Sequence, residues 1–284
     1  MLSIHHRPSP PLNTYIDYLY YLDQSTTYSR EKILPDVGLD LKINLGDTIR
    51  VYKPGQAEPF VICSDSWSVG LWSACHIIDW PQNIQFFGVA FKPGGAYPFM
   101  QIPLSELHDG VISLDAIWGG FAAEIRERLY AVPTTGERFA VLEQMLMIRL
   151  SESLAQQSHD FNTLNYALNL MEQRHGDVSI KALSNEIGIS QNYLTSQFKR
   201  LVGGTPKEIA RLYRFHHALH NLDPMQPVEW TQIAHQACYY DQSHFNKDFR
   251  TFTGHTPTEY LKLRRQVYIE NPEHAWYYRA LPTD

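Results

Sequence analysis

Eleven polar side chains fall into two sets with the right chemistry to read the edges of DNA bases. Gln191, Asn192, Thr195, Ser196, Lys199 and Arg200 form one set; Gln242, Ser243, Asn246, Lys247 and Arg250 form the other. Gln and Asn can pair both ways with adenine, Lys and Arg reach guanine or phosphate, and Ser or Thr bonds to either. Lys199, Arg200 and Arg250 stand near helix ends, where a phosphate contact positions a protein without specifying a sequence. A single solvated helix face carries the same residue types, so neither set means much alone.

The two sets belong to one repeated unit. Gly203, Thr205, Pro206 and Glu208 recur 51 residues later as Gly254, Thr256, Pro257 and Glu259. In that register Leu194 aligns with Phe245, Phe198 with Phe249, Lys199 with Arg250 and Leu201 with Phe252, while Ser190 and Asp241 are both capping residue types. A common offset across capping, core, basic and turn positions implies two similar surfaces facing one periodic target, and duplex DNA is the commonest such target.

Positioning these sets requires a specific run of helices. Phe161, Leu164, Leu168 and Met171 form the apolar stripe of an opening helix that stops at Gly176. Ser179 caps a short helix from Ile180 to Ile187, Gly188 supplies a turn with positive φ, and Ser190 caps a helix running to about Val202. The second copy places a short helix at Trp230–Ala237 and a longer one behind Asp241, with a connecting helix from Lys207 to about Leu222. Short helix, tight turn and second helix with a polar outer face is the helix-turn-helix arrangement.

The N-terminal half has another grammar. Leu39 to Leu45 alternates strictly, which predicts a strand with one apolar and one wet face. Gly46-Asp47 then reads as a hairpin turn, with Ile49–Tyr52 as the partner strand. Phe60–Ile62, Val69–Trp72 and Ile84–Phe91 are further strands. Helical spacing follows from Ile117 to Leu129 and from Arg138 to Ala155; the latter helix could cover the sheet or form a dimer seam. The fold class expected is α+β: a β-rich small barrel or sandwich, cupin-like, followed by helices, then an all-α domain with two helix-turn-helix units. The expected divisions are 1–158, 159–268 and a tail at 269–284.

Composition is compatible with this reading. Hydrophobic residues make up 44% and charged residues 19%, enough apolar content to bury a sizeable core. Net charge is −6, yet the acidic excess is local. Residues 1–159 hold 11 basic against 17 acidic side chains, and residues 160–268 hold 12 against 10. Cys63, Cys75 and Cys238 are too few for a disulfide framework, which points to a reducing cytoplasm. No apolar run approaches the ~18 residues that span a bilayer, and the N-terminus lacks a secretory pattern, so no membrane association is expected.

Residues from about 161 to 265 resemble the DNA-binding domain of AraC-type transcription regulators, most closely over Ser179–Phe198 and over Ile233–Tyr260 with its Gly254-His255-Thr256-Pro257. The resemblance implies two recognition helices in successive major grooves. It places base contacts on Asn192, Thr195 and Ser196 and on Gln242, Ser243 and Lys247. It also implies a regulator, with activation as the expected sign. One departure is clear: the second turn, usually Gly-Phe in that family, is Cys238-Tyr239 here. The run Phe87 to Phe99, with Leu34-Pro35-Asp36, is similar to a domain family found ahead of such DNA-binding domains. That position implies an effector or dimerising domain and names no effector.

Double-stranded DNA is therefore the expected partner. RNA polymerase, a small-molecule effector and a second copy of the chain stay open, and no cofactor is expected. If the β-domain holds a ligand, Tyr52, Trp72, His76 and Phe86 are its candidate lining, against the plainer reading of these residues as core. An enzyme is the rival class. A cupin-type metal site needs clustered histidines with a glutamate, and His5, His6, His76 and His108 show no such spacing. Three scattered cysteines cannot supply a four-cysteine zinc site. Gly94-Gly95 has no phosphate-binding context. No catalytic or metal residue is assigned.

Overall fold

The computed structural model describes residues 2–23, 28–154, 159–272 and 279–283. The N-terminal half forms β1 (Leu2–His6), β2 (Ile16–Asp23), β3 (Arg30–Ile33), β4 (Asp40–Asn44), β5 (Ile49–Tyr52), β6 (Val61–Cys63), β7 (Ser66–Val69), β8 (His76–Asp79), β9 (Gln85–Phe91) and β10 (Val111–Ser113). A last strand, β11 (Ala280–Pro282), comes from the far end of the chain. One sheet has the order β1-β2-β9-β4-β7-β10 and the other β11-β3-β8-β5-β6. Every pairing is antiparallel.

Two sequence expectations fail at β4. The hairpin with Ile49–Tyr52 does not form: β4 pairs with β7 and β9, whereas β5 pairs with β6 and β8 in the other sheet. Gly46-Asp47 is a corner between sheets, held by the buried Asn44. The Asn44 amide donates to the carbonyls of Ser64 at 2.8 Å and Asp47 at 2.9 Å, and its Oδ1 accepts from the Gly46 N–H at 3.2 Å. Nor is one face of the strand wet. Leu41 and Ile43 join the helix-side core, while Lys42 and Asn44 are only 8% and 1% exposed. Alternation in a sheet covered on both faces simply sends the polar residues to the other interior.

β9 shows the same double burial. Phe87, Val89 and Phe91 pack into the helix-side core, and Phe86 packs between the sheets with Trp67, Ile49 and Val51. Gly88 has no side chain because one would collide with Tyr20, whose ring carbon would lie 2.0 Å from its Cβ.

Helices α1 (Tyr97–Met100), α2 (Leu114–Trp118), α3 (Gly120–Ala131) and α4 (Thr135–Leu154) follow. The single helix expected over Ile117–Leu129 is two, broken at Gly119, where φ is +56°. The stripe of α4 (Phe139, Leu142, Met145, Leu146, Leu150) is buried in the core it shares with the six-stranded sheet. That helix therefore covers the sheet, the first of the two roles its pattern allowed. Ala155 and the expected domain cut after residue 158 lie outside the described residues.

The C-terminal half is helical: α5 (His159–Gln173), α6 (Ile180–Ile187), α7 (Gln191–Val202), α8 (Pro206–His220), α9 (Trp230–Gln236), α10 (Gln242–Thr253) and α11 (Pro257–Glu270). Its core also contains Leu34, Val37, Leu71 and Cys75 of the β-domain and Leu281 of the tail. That tail, read from the sequence only as a tail, adds strand β11 to the edge of β3, with Ala280 opposite Ile33 and Pro282 opposite Glu31. Proline suits an edge strand, where its missing N–H breaks no ladder. No described helix is long and apolar enough to cross a membrane.

Replacing Asn44 with Ala should lower unfolding free energy by about 1–3 kcal/mol, the cost of leaving corner carbonyls and an N–H unpaired. Urea denaturation measures it, and a loss below ~0.5 kcal/mol would mean that the corner is held by other contacts.

Candidate nucleic-acid interface

Helices α7 and α10, the candidate recognition helices, start and stop by the same local chemistry. The Ser190 side chain accepts from the Tyr193 N–H at the start of α7, and Asp241 accepts from the His244 N–H at the start of α10. Each helix ends on a left-handed glycine, Gly203 at φ +99° and Gly254 at φ +72°. Thr205-Glu208 and Thr256-Glu259 then form reciprocal capping boxes that launch α8 and α11. The 51-residue repeat is thus a repeat of helix punctuation.

Punctuation and core spacing together decide which side chains face out. Leu194, Phe198 and Leu201 on α7 and Phe245, Phe249 and Phe252 on α10 are buried. Gln191, Asn192, Ser196 and Lys199 are exposed, and Thr195 is half-buried. Gln242, Ser243, Asn246, Lys247 and Arg250 are all exposed. The Gln242 Oε1 accepts from the Thr231 hydroxyl at 2.9 Å, which tethers it to α9.

Arg200 departs from its expected place on the phosphate side. Its guanidinium lies over the Tyr97 ring, 5.4 Å from the centroid, and donates to the Tyr97 hydroxyl at 3.3 Å. Tyr97 belongs to the β-domain half. The end of α7 therefore rests on that half, and a Cβ on Gly204 would come within 2.4 Å of Leu71. The end of α10 does likewise: the Lys32 Nζ lies 2.6 Å from the His255 Nε2, and Cys75 lies beneath Gly254. Between them, the His216 Nε2 donates to the Pro35 carbonyl at 3.0 Å. Both repeated turns are docked on one body.

Two further residues shape the interface without a sequence signal strong enough to mark them. Asp248 is 3% exposed on α10 and takes a two-pronged bond from Arg211 of α8, at 2.7 and 3.1 Å. An acid flanked by inward phenylalanines was the clue. Tyr240, 94% exposed, stands just ahead of the α10 cap.

The candidate pocket residues separate. Trp72, His76 and Phe86 line a cavity of about 230 Å³ between the sheets. Tyr52 does not line it. Ile49 and Val51 face the cavity, so strand alternation turns Tyr52 away, under the Arg30 guanidinium at 4.7 Å. Cys75 and His76 point apart, Cys75 into the shared helical core and His76 into the cavity wall. Among the described residues, no three His, Cys, Asp or Glu side chains cluster as metal ligands would.

Residues 183–263 match the family described as "Helix-turn-helix domain". The C-terminal half therefore carries a helix-turn-helix domain. Residues 4–113 match a "Domain of unknown function (DUF6597)". Among solved structures the chain is similar to ToxT from Vibrio cholerae at 11% identity, over 86% of this chain and 98% of that one, with a TM-score of 0.45. Unsaturated fatty acid bound wild-type ToxT from strain SCE256 of that organism is similar at 10% identity, over 86% and 93%, with a TM-score of 0.42. A probable AraC family transcriptional regulator from Rhodopseudomonas palustris is similar at 27% identity over 36% of this chain and 95% of that one, with a TM-score of 0.33. No curated protein matches the chain.

Within the helix-turn-helix domain the unusual second turn adopts the backbone expected of glycine. Cys238 sits at φ +58° in the turn after α9, as Gly188 does at φ +81° in the turn after α6, although the two lie 50 residues apart and not 51. A side chain in the left-handed region costs roughly 1–2 kcal/mol. Cys238→Gly should therefore stabilise the protein by about 0.5–1 kcal/mol, after subtracting glycine's extra entropy loss. A rise in the urea midpoint checks this, and an unchanged or lower midpoint would show that the turn carries no strain.

Two buried histidines contribute to the pH response. Burial pushes the His216 pKa down to about 4 despite its hydrogen bond to Pro35, and pushes His76 down to about 3. Both values lie below the ordinary 6.5. As pH falls below that value, the unfolded chain takes up protons that the folded chain refuses, so stability declines with acidification. Urea midpoints should be full near neutrality and fall steadily from pH 6.5 towards 4, and His216→Asn should flatten that slope. A flat wild-type profile would contradict the burial of neutral imidazoles.

Proposed function

We propose that the protein is a sequence-specific transcription regulator that lays α7 and α10 into neighbouring major grooves and answers to a small molecule held by its β-domain. One observation carries the DNA half of this reading: two helices with matched caps, matched inward stripes and exposed polar faces at corresponding positions. Neighbouring grooves of B-DNA recur every ~34 Å, and paired readers must match that period. The base-reading side chains proposed are Asn192, Thr195, Ser196, Gln242, Ser243 and Lys247. Lys199 and Arg250 at the helix ends suit phosphate, with Gln191 and Asn246 beside them. Arg200 suits phosphate only after leaving Tyr97, so its position reports whether the β-domain and the first reader are docked.

The docked turns support the sensing half. A change in the β-domain that shifts the Leu71–Leu104 region relative to Lys32 would alter the angle between the two readers. Activation is the proposed sign, by analogy with the AraC type.

Selection from randomised duplexes, followed by binding titrations over a range of salt, tests the assignment. Gln242→Ala or Lys247→Ala should cost about 1–3 kcal/mol at one base position and relax specificity there. Arg250→Ala should weaken all sequences alike and reduce the salt slope by about one. Uniform loss across sequences for the Lys247 variant would move that residue to the phosphate group.

A further inference from the structure

We propose that the space between the two sheets is a composite binding site for an uncharged, flat aromatic molecule of one or two rings, closed by the C-terminal strand that follows the DNA-binding domain. The proposal rests on the reading of the β-domain as the sensing half and supplies the ligand class and the coupling element.

Size and shape limit the occupant first. A cavity of about 150 Å³ lined by apolar side chains takes up benzene. The 230 Å³ here leaves room for one or two rings with a small substituent. The wall includes Tyr20, Trp67, Trp72, Trp80 and Phe86. Flat faces on several sides favour a flat ligand that can stack or meet them edge-on.

Charge decides the class. Lys42 donates to the Asp40 Oδ2 at 2.5 Å, and Tyr20 donates to the same oxygen at 2.7 Å. The Glu31 carboxylate accepts from the Trp80 indole at 2.7 Å. Arg279 is paired with Asp36. Asp17 is exposed to water. An ion entering this space would lose its hydration and find Lys42 already paired with Asp40 and Arg279 with Asp36. Three buried polar atoms at the wall have no hydrogen-bond partner: the Trp72 Nε1 donor, the Asp40 Oδ1 acceptor and the His76 Nδ1. His76 stacks on Trp72 with centroids 4.5 Å apart, and burial keeps its ring neutral. A hydroxyl or amide offers both a donor and an acceptor, which is what these atoms lack.

The closure comes from the other end of the chain. Arg279, Ala280 and Pro282 line the cavity, as does Val267 of α11. Leu281 points the opposite way, into the core shared with the helices, and is fully buried. The Leu34 N–H donates to the Arg279 carbonyl at 2.8 Å. A ligand in this site touches α11 and β11 directly, so its binding is linked to the placement of the second reader.

The test uses the full chain, with phenol, indole and benzamide as neutral probes and benzoate, benzylamine and cyclohexanol as comparators. Binding is followed by saturation-transfer NMR and calorimetry, and affinity for mixed-sequence duplex DNA at low salt is measured in parallel. At least one neutral aromatic should bind at least tenfold more tightly than all three comparators. Val69→Phe, which fills the cavity, should abolish that binding, and a chain ending at residue 278 should lose it at least tenfold, both with DNA binding retained. A charged probe binding as tightly as phenol overturns the ligand class. Undiminished affinity in the truncated chain overturns the role of the strand. Silence from all six probes, with DNA binding intact, overturns the site and leaves the regulator reading standing. Probe binding in a chain that does not bind DNA supports the site and overturns the regulator reading.

Discussion

The two helices proposed as readers, α7 and α10, end on glycine turns, and both turns rest on the β-domain. Gly203-Gly204 meets Leu104 and Leu71, and Gly254-His255 meets Lys32 and Cys75. A helix-turn-helix unit by itself fixes only its own two helices. The angle between two units depends on what joins them, and here that is α8, bonded to α10 through Arg211 and Asp248, together with the β-domain under both far ends. A side chain at Gly204 would meet the Leu71 Cδ2 at 2.4 Å and push that side chain aside, so the fit here is steric.

The β-domain can serve as that holder because its central strands are buried twice. β4 and β9 send Leu41, Ile43, Phe87 and Val89 to the helical layer, and Lys42 and Phe86 to the space between sheets. The helical layer packs closely against the six-stranded sheet. The space between the sheets is left incompletely filled, with polar groups that the protein does not satisfy. Close packing on one side and spare volume on the other suit the proposed sensing role.

The C-terminal strand gives the architecture a closed loop of connections. The chain runs from β-domain to readers and returns to pair β11 with β3. A fragment ending at residue 158 would lack β11 and part of the cavity wall, so the complete sheet and the complete cavity belong to the whole chain. The charged link between Arg279 and Asp36 and the Leu281 anchor hold that return in place.

Much of the helical half was legible because its signals are local. Ser190, Asp241, Thr205 and Thr256 cap the helices that follow them, and positive φ at Gly188 and at Cys238 follows from turn geometry within a few residues. The sequence by itself determined where the helices start and stop, and which polar side chains lie opposite the buried stripes. It did not determine strand partners. Alternation along residues 39–45 is the same whether the far face meets water or a second sheet, and the Gly46-Asp47 turn reads the same as a hairpin or as a corner. Which of Tyr52 and Trp72 faces the cavity, why Arg200 turns towards Tyr97, and where residues 280–282 pair were decided by tertiary structure alone. Those outcomes depend on contacts between residues far apart in the chain, whose energies no local pattern encodes.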